Sequence, residues 1–325
     1  MWLVFAASAA VCFGLRGILY QWTSQRPINR NVMLFGVYVC GMLTALIANL
    51  FTGQPWTPGV MAGIFMGVFS FVANAAMYKG FAVGKASLVA IFSALSPVVA
   101  AVGAYIVWGE TLTGPQLAAF LIILSGIVLI RYSNDLSLNH LNGVQWALLT
   151  MLFFGITDLW TKQSTLWGAA MLPTLATMYA TGSVLFGLWA LRDWNSLKKR
   201  VRNELRAARS GSAAGLEDHM PAKKDHDSTA TGAVISNTNN PARVWNFPRT
   251  FFWGMLVGVT NISGMLLIVP AFRYGITGLV SAVIALNVLI ILLYARLVLK
   301  EKFRRLEIVG AACTIIGMFI LQLLG

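Results

Sequence analysis

The sequence predicts an all-α integral membrane protein, with ten transmembrane helices arranged as two inverted five-helix repeats. Three observations predict it. The 325-residue chain is 58% hydrophobic and 11% charged, with a mean hydropathy of +0.72, whereas a soluble domain keeps roughly a quarter of its residues charged. Apolar windows of the length a bilayer requires, about 20 residues, recur along the whole chain. Finally, one helical cassette occurs twice, 191 positions apart.

The windows are 2–21, 31–51, 59–82, 84–108, 115–131, 143–162, 169–191, 250–272, 275–298 and 306–324. The first reads as a retained span rather than a signal peptide, because no basic region precedes it and Arg16 interrupts it. Turn chemistry separates the next ones: Gln25-Arg26-Pro27-Ile28-Asn29, then Gly53-Gln54-Pro55-Trp56-Thr57-Pro58, then Asn134 to Asn142. Thr113-x-x-Gln116 has the form of a capping box that opens the fifth window, and Glu307 holds the place of Gln116 in the second copy.

The duplication rests on residues that chance does not supply cheaply. Gly63-x3-Gly67 recurs as Gly254-x3-Gly258, Phe81-x2-Gly84 as Phe272-x2-Gly275, Glu110 as Glu301 and Gly126 as Gly317. Between residues 63 and 126 there are 13 identities without a gap. Five spans per unit is an odd number, so tandem units cross the membrane in opposite senses. The units are residues 1–131 and 132–325, the second carrying a polar, basic insertion at 192–249.

That insertion holds eleven of the 24 Lys and Arg residues. Trp194, Leu197, Val201, Leu205 and Ala208 fall on one helical face, and basic residues fill much of the rest. The pattern predicts an interfacial helix that contacts anionic lipids at 194–209; a solvated linker without a role fits equally well. Residues 210–243 are too polar to form a core.

The net charge of +13 does not indicate nucleic acid, because the cations cluster in connections rather than along one soluble face. The odd-numbered connections contain Arg26 and Arg30, Lys85, Arg131, the basic insertion, and Lys300, Lys302, Arg304 and Arg305. Positive-inside logic puts those connections in the cytoplasm and both termini outside.

Ser93-Ala-Leu-Ser-Pro97, Val107-Trp-Gly-Glu110-Thr-Leu-Thr113 and Gly126-Ile-Val resemble the EamA-type repeat of the drug/metabolite transporter superfamily. Val298-Leu-Lys-Glu301-Lys-Phe through Gly310 and Gly317 resembles it more loosely. Phe13-Gly14 and Phe154-Gly155 match the aromatic-glycine pair of the first helix in each half, and Lys162 matches the basic residue that often closes that helix. The resemblance implies ten spans, an inverted repeat and a central cavity lined largely by the first, third, fourth, sixth, eighth and ninth helices. It implies transport of small metabolites, commonly outward, and termini in the cytoplasm, opposite to the charge count. The second copy departs from the pattern in having Asn287-Val288 where the first has Ser96-Pro97.

Ionised groups inside apolar windows cost about 2.5–3.5 kcal/mol at mid-bilayer. Arg16 and Lys79 are placed about one turn from one membrane face, and Asp158 and Arg273 about one turn from the other. All four are within reach of the interface by snorkelling. The sharper reading pairs Asp158 with Arg273 as a proton-coupling unit, against a local Asp158–Lys162 pair. Coupling needs a group whose proton affinity changes with exposure, and Asp158 is the only acid inside an apolar window. Arg16, Asn74, Tyr78, Ser93, Ser96, Trp160, Asn261 and Asn287 are the candidate substrate-binding residues. Each polar one has an alternative as interhelical glue, and Trp160 as part of an interfacial belt. Glu110 and Glu301 read as structural latches, and Pro97 as a break that frees a carbonyl near Ser93.

Three cysteines lie in apolar runs and three histidines in polar connections. Neither set has metal or disulfide spacing, and no nucleophile–base or phosphate-loop pattern occurs. The expectation is therefore no enzyme, no cofactor, no metal and no nucleic acid. A homodimer is allowed but not required. The expected function is gradient-driven, alternating-access transport of a small polar or amphipathic, amino-acid-like metabolite across a bacterial cytoplasmic membrane, in the outward direction. The alternatives are a lipid-linked or cationic-compound flippase, for which carboxylates are few, and a non-transporting scaffold that acts through 192–249.

Overall fold

The computed structural model describes residues 1–24, 26, 28–83, 89, 92–132, 143–214, 246–298 and 305–324. Lys85, Glu301, Asn134 to Asn142 and most of 210–243 lie outside the described residues, as do the side chains of Tyr78 and of 197–214.

Among the described residues every regular element is helical. The helices are α1 (Trp2–Ser24), α2 (Arg30–Thr52), α3 (Ala62–Val83), α4 (Ser96–Trp108), α5 (Gly114–Tyr132), α6 (Val144–Leu166), α7 (Met171–Ala214), α8 (Phe247–Tyr274), α9 (Thr277–Ile284), α10 (Asn287–Leu297) and α11 (Arg305–Leu324), with a 3-10 turn at Pro58–Met61. Among the described residues eight segments are long and apolar enough to cross a membrane; Phe92–Trp108 and Gly114–Ile130 are shorter apolar helices.

The ends follow from local chemistry. Asn29 caps α2 by accepting from the backbone N–H groups of Asn31 and Val32. Gly53 and Gly109 close α2 and α4 at φ of 63° and 67°, a region that glycine enters without a Cβ penalty. Gln116 completes half of the expected capping box by accepting from Thr113 N–H at 3.0 Å.

Three elements differ from expectation. First, α1 continues to Ser24, while its apolar span ends at Tyr20, which leaves Arg16 about one turn from that end. Second, α7 runs unbroken for 44 residues, about 66 Å at 1.5 Å per residue. Its basic half continues the helix that holds the seventh window rather than forming a separate element. Third, the ninth window is broken at Ala285-Leu286, the place equivalent to the turn at Leu95 before α4. Leu95 N–H bonds to Phe92 C=O, and Leu286 N–H to Val283 C=O, a tight three-residue step at both sites. Only the first site has a proline, so proline is not the common cause.

The helices pack in a closed ring in the order α1, α8, α2, α7, α3, α6, α4, α9 and back to α1; α10 joins α1, while α5 and α11 pack mainly on each other. Small residues set the closest approaches. A Cβ on Gly63 would strike Thr174 C=O, and one on Gly67 would strike Met178 C=O. At the equivalent places, Gly254 meets Met33 C=O and Gly258 meets Val37 C=O. Gly14 faces Ile290 as Gly155 faces Val99, and Gly126 meets Gly310 while Gly317 meets Ala119. Every such contact has a counterpart, with the first two helices of each half 141 positions apart and the later ones 191 apart.

Candidate functional site

Two tyrosines meet where α2 crosses α7. The Tyr38 and Tyr179 rings lie edge to face, with centroids 5.6 Å apart. A Cβ on Gly41 would enter the Tyr179 ring, and one on Gly182 the Tyr38 ring, so both glycines make room for the pair. Each hydroxyl reaches the neighbouring helix. Tyr38 Oη shares a hydrogen bond of 2.6 Å with Ser70 Oγ on α3. Tyr179 Oη accepts from Asn261 Nδ2 on α8 at 3.0 Å. Ser70 and Asn261 are themselves 191 positions apart.

The Tyr179 branch goes one step further. Arg16 Nη1 on α1 donates to Asn261 Oδ1 at 2.5 Å, which fixes both ends of that amide. The guanidinium also lies 4.5 Å from the Phe13 ring centroid. Among the described residues it has no carboxylate partner, and its Nε is buried without a hydrogen bond. A half-buried cation with an unused donor is equipped to receive an anionic or strongly accepting group. On the other branch, Asn74 donates to Ser70 C=O at 2.7 Å and approaches Tyr38 Oη at 3.5 Å.

Asp158 sits across the ring on α6. It is bonded neither to Arg273 nor to Lys162; Ser281 on α9 donates to its Oδ2 at 2.5 Å. Arg273, in the last turn of α8, is exposed and borders a surface crevice with Gln54 and Tyr274, as snorkelling predicts. The expected Asp158–Arg273 pair is therefore absent, because the arginine sits at a helix end where water is available.

Lys162 has stronger partners than Asp158. Its Nζ lies 3.2 Å from Glu110 Oε1 and donates to the carbonyls of Phe272 and Gly275, each at 2.9 Å. Glu110 Oε2 in turn accepts from Thr277 N–H at 2.8 Å, at the start of α9. One ion pair thus joins the α4–α5 connection, the end of α6 and the α8–α9 junction, and it satisfies the backbone groups that helix ends leave open. The latch role expected for Glu110 takes this form.

The other candidates lie apart from the tyrosine pair. Ser93, Ser96 and Asn287, all half-buried, flank the two helix breaks. Trp160 stacks on Phe65 of α3, with centroids 4.2 Å apart and an interplanar angle of 14°, and meets Trp167 edge to face at 5.8 Å. Sequence reasoning missed Tyr38, Tyr179, Ser70 and Ser281. Repeating the identity comparison at a spacing of 141 would have found the tyrosines, together with Gly41 and Gly182.

Residues 1–132 and 231–323 match the model of the EamA-like transporter family. A solved structure described only as the crystal structure of a protein superposes with a TM-score of 0.68 over 99% of this chain and 97% of that one, at 13% identity. A likeness at that identity shows the fold alone. No curated protein matches the chain.

Proposed function

The chain belongs to the EamA-like transporter family, and from that membership we propose a gradient-driven carrier that exports a small, carboxylate-bearing, amino-acid-like metabolite. It is a multi-pass membrane protein, placed by this reading in a bacterial cytoplasmic membrane with the basic connections in the cytoplasm. Two five-helix units, residues 1–131 and 132–325, cross the bilayer in opposite senses; the paired contacts at constant spacing support this reading. Exchange of the two units' conformations opens the ring first at one end and then at the other. The Glu110–Lys162 bond holds shut the end at which it lies.

Arg16 carries the proposal. A cation retained in an apolar window carries a cost that reaches about 2.5–3.5 kcal/mol at mid-bilayer, and among the described residues no carboxylate offsets it. A cargo carboxylate supplies the missing anion, while Asn261, Tyr179, Tyr38 and Asn74 orient the polar remainder. Ser93, Ser96, Asn287 and Trp160 line the path beside the helix breaks. Asp158 couples transport to protons by exchanging its Ser281 hydrogen bond for water as the ring opens.

Uptake of carboxylate-bearing metabolites into proteoliposomes, with and without a pH gradient, tests both roles. Arg16→Gln is expected to lower transport roughly tenfold or more, the worth of a charged hydrogen bond. Asp158→Asn should retain exchange but lose its response to the gradient. Full transport by folded Arg16→Gln removes the anion role, and a surviving gradient response in Asp158→Asn removes the coupling role.

A further inference from the structure

At the end of the molecule where α2 begins, α2, α3, α6 and α7 border a crevice of 660 Å³, lined below its rim by Phe71, Ala75, Leu149 and Trp189. This size lies within the range of about 300–1,000 Å³ typical of ligand sites. We propose that the crevice holds one membrane phospholipid with an amine in its headgroup, taken from the leaflet at that end.

Depth and lining fit a lipid rather than a water-borne solute. Lys79 stands one turn before the end of α3, and Trp146 near the start of α6. Cation and indole therefore mark the headgroup boundary, and the trough below them is apolar, as an acyl chain requires. The rim carries both charges: the cations Lys79 and Arg30, the latter already partnered, and the carboxylate of Asp193. Lys79 is exposed, with Nζ 4.4 Å from the Trp146 ring centroid, and has no hydrogen-bond partner among the described residues. Opposite stands Asp193 of α7, whose Oδ2 accepts from Asn31 at 2.6 Å and Asn29 at 3.5 Å. Both bonds use one oxygen, and among the described residues none uses Oδ1.

A phosphate beside Lys79 and an ammonium beside Asp193 complete this pattern. A headgroup with phosphate but no amine would satisfy Lys79 and leave Asp193 facing added negative charge. The equivalent crevice at the opposite end, of 370 Å³, is lined by Arg273 with no carboxylate. There Pro270 stands in the place of Lys79, and Thr52 in that of Asp193. The proposed recognition therefore belongs to one leaflet only.

The test is native mass spectrometry of the full chain after reconstitution in vesicles of equimolar phosphatidylethanolamine and phosphatidylglycerol, followed by extraction in mild detergent. The wild type is expected to retain one phosphatidylethanolamine in roughly tenfold preference, the worth of one charged hydrogen bond. Asp193→Asn should retain both lipids equally, and Lys79→Gln should weaken retention of both. Ala75→Trp fills the trough, leaves the rim charges in place and should abolish retention; it also decides the matter if Asp193→Asn fails to fold. Equal retention of the two lipids by wild type, no retained lipid, or retention unchanged by Ala75→Trp overturns the proposal.

Discussion

Tyr38 and Tyr179 hold equivalent places and touch each other, yet their surroundings differ in charge. Tyr38 ends on Ser70 and Asn74, all neutral. Tyr179 ends, through Asn261, on Arg16. The same asymmetry recurs elsewhere. Thr157 stands where Arg16 would recur, Gly17 where Asp158 would, and Gln21 where Lys162 would. Packing is duplicated, whereas of the ionic groups Arg16, Asp158, Lys162 and Glu110 only Glu110 has an identical counterpart, Glu301. Glycine contacts must match for two similar bundles to fit together, whereas a single site needs each charge only once.

The largest effect on this comparison should come from an unpaired charge. Lys162→Met leaves the half-buried Glu110 without its partner and should cost about 2–4 kcal/mol, below the full cost of a buried pair, while Lys162→Met with Glu110→Gln should recover much of that loss. Thermal unfolding in detergent reads both. A single variant as stable as wild type would show that the bond closes nothing.

The shared framework predicts equal, intermediate losses. Gly63→Val and Gly254→Val each press a side chain into a facing carbonyl and should each cost about 1–3 kcal/mol. Clearly unequal melting shifts would break the equivalence of the two contacts. The smallest effect should be the most informative. Tyr38→Phe and Tyr179→Phe each remove one hydroxyl, at about 1 kcal/mol. Their stabilities should fall together while transport falls further for Tyr179→Phe; an identical transport loss would place Arg16 outside the path.

Spans, family and glycine contacts were legible because lipid imposes length and apolarity, and because a close helix crossing admits few residues other than glycine. The tyrosine pair was hidden by the insertion, which changes the spacing from 191 to 141 for the early helices. For Lys162 the sequence offered only Asp158 as an alternative partner, because the i, i+4 spacing is visible in one dimension. The carbonyls of Phe272 and Gly275, with Glu110, are assembled only by folding, and together they outcompete a single carboxylate. The helix breaks were read from Pro97 alone, whereas a second break forms at Ala285-Leu286 without any proline.

The length of α7 has a mechanical consequence. Measured from Tyr179, where it bears on α2, the rod continues to Ala214, about 52 Å at 1.5 Å per residue. A tilt of about 10° at that fulcrum sweeps the far tip through about 9 Å, a lever arm that magnifies displacements too small to see among the packed helices. A spin label on its outer end would turn the rocking of the bundle into a distance long enough to measure.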